Sequence, residues 1–143
     1  MSNEQHETVA RRFYAQGATG EWDDALIAAE VVYHGPPMIG EVRGREGFKQ
    51  VLGLFRSAFP GFTTTVDDVL VDGDRVAIRH THYAAQTGEF AGIPPTGKSV
   101  TVEGIEIMRL RDGQIIEFWH HDDFLALMQQ LGAIPAPDGD RPG

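Results

Sequence analysis

The stretch FTTTVDDVLVDGDRVAIRHTHYAA, residues 62–85, decides the fold. Phe62 to Val71 is rich in Thr and Val, Asp72-Gly73-Asp74 is a turn signal, and Arg75 to Ala85 alternates apolar and polar residues. β-Prone runs on either side of an Asp/Gly turn predict an antiparallel hairpin. Within Arg75 to Tyr83 the two-residue period puts Val76, Ile78, His80 and His82 on one face. Arg79, Thr81 and Tyr83 take the other. If the Val/Ile side faces a core, two imidazoles face it as well.

Upstream of the hairpin the period is helical. Phe48, Val51, Leu52, Phe55 and Phe59 form an amphipathic stripe after Gly44, and Pro60-Gly61 ends it. Val9, Ala10 and Phe13 predict a first helix over Glu4 to Gln16. Ala-rich Trp22 to Glu30, led by Asp23 and Asp24, predicts a short second one. Val31 to His34 is a brief β-prone run stopped by Gly35-Pro36-Pro37. Downstream, Thr87 to Gly97 is loop material and Val100 to Leu110 a strand. Asp112-Gly113 is a turn, Gln114 to His121 the last strand, and Phe124 to Leu131 a short helix closed by Gly132. Helices followed by hairpin-linked strands predict a single α+β domain over residues 1–134, with helices on one face of a curved antiparallel sheet. Such a sheet makes a cone, or cone-shaped barrel, whose mouth can hold a small ligand. The Pro/Gly-rich tail, 135–143, is expected to be flexible.

Composition narrows the function. With 143 residues the chain has enough for one core. Twelve Lys and Arg against 21 Asp and Glu give a net charge of −9, which argues against nucleic acid and anionic membrane as partners. The lack of Cys excludes disulfides and thiol chemistry and suits a cytoplasmic location. No apolar run approaches the roughly 20 residues of a membrane span. Gly-rich phosphate loops and nucleophile elbows are missing too, so no nucleotide cofactor is expected.

The polar residues suggest proton transfer. Trp119 and His121 share one parity of the last strand, and Asp123 continues it; Phe118, His120 and Asp122 take the other. Either Asp122 or Asp123 can cap the following helix. A carboxylate against Trp and His at a pocket edge can take the acidic proton beside a carbonyl while a histidine holds the developing oxyanion. A metal reading starts from His80-Thr81-His82, with His120 or His121 as a third ligand. The next acid, Glu89, lies beyond two turn residues, unlike the close Glu of cupin-type sites, so no metal is expected.

Three segments resemble a known family: Val32 to Phe59 with Tyr33-His34 and VRGREGFKQVLGLFRSAFP, then TGEFAGIPPTGKSV (87–100), then RDGQIIEFWHHDDFLALMQQLGAI (111–134). They resemble the SnoaL-like polyketide cyclases of the nuclear transport factor 2-like superfamily. That resemblance implies a cofactor-free acid–base enzyme that closes a ring by intramolecular aldol reaction, or a related isomerisation, on a small apolar carbonyl compound. It also implies a homodimer or higher homo-oligomer. By spacing from Trp119 and from Gly132, the family's acid–base aspartate falls on Asp123. His34 matches an early pocket residue, and Glu106 the polar residue of the penultimate strand. His80, His34 or His82 is the expected partner of Asp123, with His82, Trp119, His121 and Glu106 expected against substrate. The alternative is a non-catalytic small-molecule-binding or dimerisation module in which Asp123 only caps a helix.

Overall fold

The hairpin around Asp72-Gly73-Asp74 forms the far edge of a six-stranded sheet in the order β2-β1-β6-β5-β4-β3. The computed structural model describes residues 1–136. Its strands are β1 (Ile27–His34), β2 (Glu41–Arg43), β3 (Thr63–Asp72), β4 (Arg75–Ala85), β5 (Ser99–Arg111) and β6 (Gln114–Trp119). Its helices are α1 (Asn3–Ala15), α2 (Arg45–Ala58) and α3 (Phe124–Gln130). The tail expected over 135–143 falls, from residue 137 on, outside the described residues. Among the described residues no helix is long and apolar enough to cross a membrane.

The helices begin where local chemistry allows. Ser2 caps α1 in a reciprocal capping box with Gln5. Gly44, at φ 92°, makes the entry to α2 in a conformation that side-chain-bearing residues avoid. Val9, Ala10, Phe13 and Tyr14 of α1 and Phe48 and Val51 of α2 are buried with Val76, Ile78, Met108, Leu110 and Phe118 of the sheet. Phe55 spans this cluster and a second one around Phe59, Phe90, Val100, Val102 and Leu127.

Two expectations give way. Trp22 to Glu30 is not a helix: Asp23 caps a single 3-10 turn over Asp24–Leu26, and Ile27 already starts β1. Ile27, Ala28 and Val31 are buried in that strand, so pairing with β6 outweighs the helical preference of the alanines. The sheet is also mixed and open rather than wholly antiparallel: β1 runs parallel to β6, and all other neighbours are antiparallel. A parallel pair needs a long crossover, and the chain from β1 through α2 to β5 supplies it.

Candidate active site

On the inner face of the sheet, even-numbered residues of β4, β5 and β6 point toward α1 and α2. Val76, Ile78 and His80 of β4, Val102, Glu106 and Met108 of β5, and Phe118 of β6 are all buried. Parity carried past the end of β6 brings His120 and Asp122 to the same face. A bridge between Gly104 and Asp122 holds the chain against β5 there. His82, Glu106, His120 and Asp122 line a cavity walled mainly by Phe13, Leu52, Phe55, Phe59, Phe62, Phe118, Phe124 and Leu127, with Trp22 beside them.

The polar cluster is closely wired. Oδ2 of Asp122 lies 2.8 Å from Nε2 of His120, and Oδ1 lies 3.3 Å from Nε2 of His80. Nε2 of His80 also hydrogen-bonds Oε1 of Glu106, to which the Tyr14 hydroxyl donates at 3.2 Å. Nδ1 of His120 lies 2.6 Å from the buried Tyr33 hydroxyl. The rings of His80 and His82 are 4.3 Å apart, and Thr64 Oγ1 sits 2.7 Å from Nδ1 of His82.

Burial and charge push these groups apart in acidity. Burial resists charge on Asp122, yet its contacts with His120 and His80 prevail and hold the carboxyl well below the usual carboxylate range. Burial, aided by the negative Asp122, pushes Glu106 up to about 7 against the opposing His80 contact. Burial would lower His80, but Asp122 and Glu106 raise it to about 9. His120 is raised too, its contact with Asp122 overcoming burial. His82, with no such aligned carboxylate bond, is lowered by burial to about 4 and stays neutral at pH 7. One carboxylate is therefore held ionised while its neighbour is pushed toward its protonated form. Such a division suits one group to accept a proton and the other to donate one.

The site residues expected from sequence divide between two faces. His80, His82 and Glu106 lie on the inner face, with His82 and Glu106 lining the cavity. Asp123 does not: it is exposed and caps α3, accepting from the Ala126 N–H at 3.0 Å. Trp119 and His121 point to the outer face, where they border a shallow groove with Arg75, Ile105 and Ile107. His34 lies there as well, stacked on Trp119 at 5.3 Å and 2.6 Å from Glu117. Trp119 invites assignment to the core by size, but Phe118 fills that place while His34 and Arg75 pack on the indole. Tyr14, Tyr33 and Asp122 were not expected in this cluster, and His120 was named only as a possible metal ligand. The alternation Phe118-x-His120-x-Asp122 was the available signal, since Phe118 belongs to the core.

The SnoaL-like polyketide cyclase family model matches residues 8–131. Aklanonic acid methyl ester cyclase DnrD of Streptomyces peucetius is 28% identical over 139 residues, covering 94% of this chain and 96% of DnrD. Nogalonic acid methyl ester cyclase of Streptomyces nogalater is 29% identical over 126 residues, covering 85% of this chain and 92% of that one. Among solved structures, TsrD from Streptomyces laurentii superposes with a TM-score of 0.82 at 28% identity, covering 94% of this chain and 99% of its own. IdmH from Streptomyces antibioticus gives 0.79 at 32% identity, covering 90% and 99%.

Proposed function

The chain belongs to the SnoaL-like polyketide cyclase family, and from that premise we propose that it closes a ring in a polyketide ester by acid–base catalysis centred on Asp122. The observation that carries the proposal is the Asp122 carboxylate, 7% exposed, held between His80 and His120 at the end of an aromatic cavity. Asp122 takes the role expected of Asp123, whose side chain is occupied at the start of α3.

In the proposed aldol addition, Asp122 takes the proton from a carbon beside a carbonyl. The resulting enolate forms a carbon–carbon bond to a second carbonyl of the same molecule. That carbonyl oxygen becomes an alkoxide and takes a proton from Glu106, which lines the cavity and is backed by His80. The proton on Asp122 then returns to the cluster, so the reaction consumes nothing. Ionised Asp122 beside protonatable Glu106 supplies both halves of the transfer. Tyr14 lines the cavity and donates its hydroxyl to Glu106, which holds that carboxyl in place. The aromatic walls fit a flat, apolar, carbonyl-bearing substrate.

Aklanonic acid methyl ester and nogalonic acid methyl ester, named for the two relatives, are the first compounds to test. Conversion to a cyclised isomer of unchanged mass by wild-type protein, and not by Asp122→Asn, supports the proposal. Equal conversion by both proteins overturns the role of Asp122.

We also propose that two copies pair through the outer face of the sheet, where Ile105 and Ile107 are 55% and 38% exposed beside Trp119. Light scattering should then give twice the chain mass for wild type and a monomer for Ile107→Lys. A cytoplasmic location suits the cysteine-free sequence, and cell fractionation would test it.

A further inference from the structure

Four potential metal donors converge where the cavity meets the sheet. His80 and His82 come from β4, Glu106 from β5 and Asp122 from the segment after β6. One donor atom from each lies within 4.8 Å of the other three. The side chains of His80, Glu106 and Asp122 are 0%, 2% and 7% exposed. Oε2 of Glu106 and Oδ1 of Asp122 are buried without a hydrogen-bond partner. His80 reaches both carboxylates through the single nitrogen Nε2, which leaves each of them an oxygen without a hydrogen bond and able to bind a cation.

The surrounding chain is shaped around this cluster. A Cβ on Gly104 would collide with Oδ1 of Asp122 and come within 3.0 Å of Nε2 of His80, so glycine leaves the space in which the donors meet. Thr64 occupies Nδ1 of His82, which leaves Nε2 directed inward, 3.8 Å from Oδ2 of Asp122. Orientation of a ligand imidazole through its other nitrogen is the usual support for a metal-binding histidine.

We propose that His80, His82, Glu106 and Asp122 form a binding site for one divalent first-row transition-metal ion. Two imidazoles and two carboxylates suit Zn(II), Co(II), Fe(II) or Mn(II). Mg(II) and Ca(II) prefer all-oxygen sets, and Cu(I) prefers sulfur. A bound ion would occupy the Asp122 lone pairs, so the loaded form would not carry out the proton transfer proposed above. Only this last consequence rests on the ring-closure proposal; the binding of the ion rests on the donor geometry.

The test uses the full chain, stripped with chelator, dialysed and titrated with Co(II). Calorimetry and the visible d–d absorption of cobalt are followed together. One Co(II) per chain is expected, with ligand-field bands indicating nitrogen and oxygen donors. His82→Ala should abolish them, and Thr64→Ala should weaken binding roughly 10–100-fold. Asp123→Asn, outside the donor set, should bind as wild type does. Circular dichroism confirms that each variant folds. No saturable binding by wild type, or unaltered binding by both folded His82→Ala and Thr64→Ala, overturns the site. Turnover of the methyl esters, measured with and without Zn(II), separates the two proposals. Cobalt binding without turnover by the stripped protein removes only ring closure, and turnover without cobalt binding removes only the metal site.

Discussion

Oδ2 of Asp122 stands 2.8 Å from Nε2 of His120, and the other nitrogen of that imidazole stands 2.6 Å from the Tyr33 hydroxyl. The three side chains form a line from the core of the sheet to the cavity. Tyr33 is fully buried and stacks with Phe48 and Phe118, so its hydroxyl has little freedom to turn elsewhere. When His120 is neutral, the Tyr33 hydroxyl donates to Nδ1 and Nε2–H donates to Asp122. The tyrosine therefore holds the imidazole in the orientation that turns Nε2 to the carboxylate.

Tyr33→Phe removes that donor and leaves a buried ring nitrogen unpaired. A stability loss of about 1–3 kcal/mol is expected, read by chemical denaturation. Turnover should fall through kcat rather than KM, because the aromatic walls that hold substrate are intact. A variant as stable as wild type would show that the contact is dispensable.

Gly104→Ala would drive a methyl group into Asp122 and against His80. Since the backbone bridge between Gly104 and Asp122 resists movement, the carboxylate must turn away. Loss of most turnover in a folded variant is the expected result. Wild-type rates would mean that Asp122 need not stay where it is.

Much of this arrangement was legible in the sequence. The hairpin over residues 62–85 and the parity of His80 and His82 follow from alternation alone, because Val76 and Ile78 mark the buried face. The stripe from Phe48 to Phe59 marks α2 equally well. Sequence failed where two interpretations were locally equal. Trp119 and Phe118 are both large and apolar, and only the packing of His34 and Arg75 on the indole sends Trp119 outward. That one-residue choice flips the whole strand end and brings Asp122 rather than Asp123 to the cavity. The parallel pairing of β1 with β6 joins segments distant in sequence, so no local pattern announces it.

Asp123 has a separate, structural task. Asp123→Ala should cost about 1 kcal/mol through loss of the cap on α3, whereas Asp123→Asn should cost much less. Thermal denaturation reads both. Each variant should retain turnover, and a large loss in Asp123→Asn would return the acid–base role to this residue.

The His80 proton links stability to pH. Its folded pKa of about 9, against 6.5 ordinarily, means the folded chain keeps a proton that the unfolded chain releases. The groups that face it are Tyr14 from α1, His82 on its own strand, Glu106 from β5, and His120 and Asp122 after β6. This stabilisation is complete below pH 6.5 and is lost as pH rises through 9. Glu106, raised to about 7, acts with the same sign between pH 4.5 and 7, whereas His82, lowered to about 4, acts oppositely below 6.5. Between pH 7 and 9, with chelator present, stability should therefore fall, by on the order of 2–3 kcal/mol for His80. His80→Gln should flatten that slope, and an equal slope in both proteins would contradict the shift.

The most direct measurement is the turnover of aklanonic and nogalonic acid methyl esters by Asp122→Asn and Asp123→Asn side by side, with folding checked by circular dichroism. Asp122→Asn keeps the shape of the side chain but removes the base, and a loss of about 100-fold or more is predicted, with Asp123→Asn close to wild type. Turnover retained by Asp122→Asn and lost by Asp123→Asn would contradict the assignment of proton transfer to the buried carboxylate.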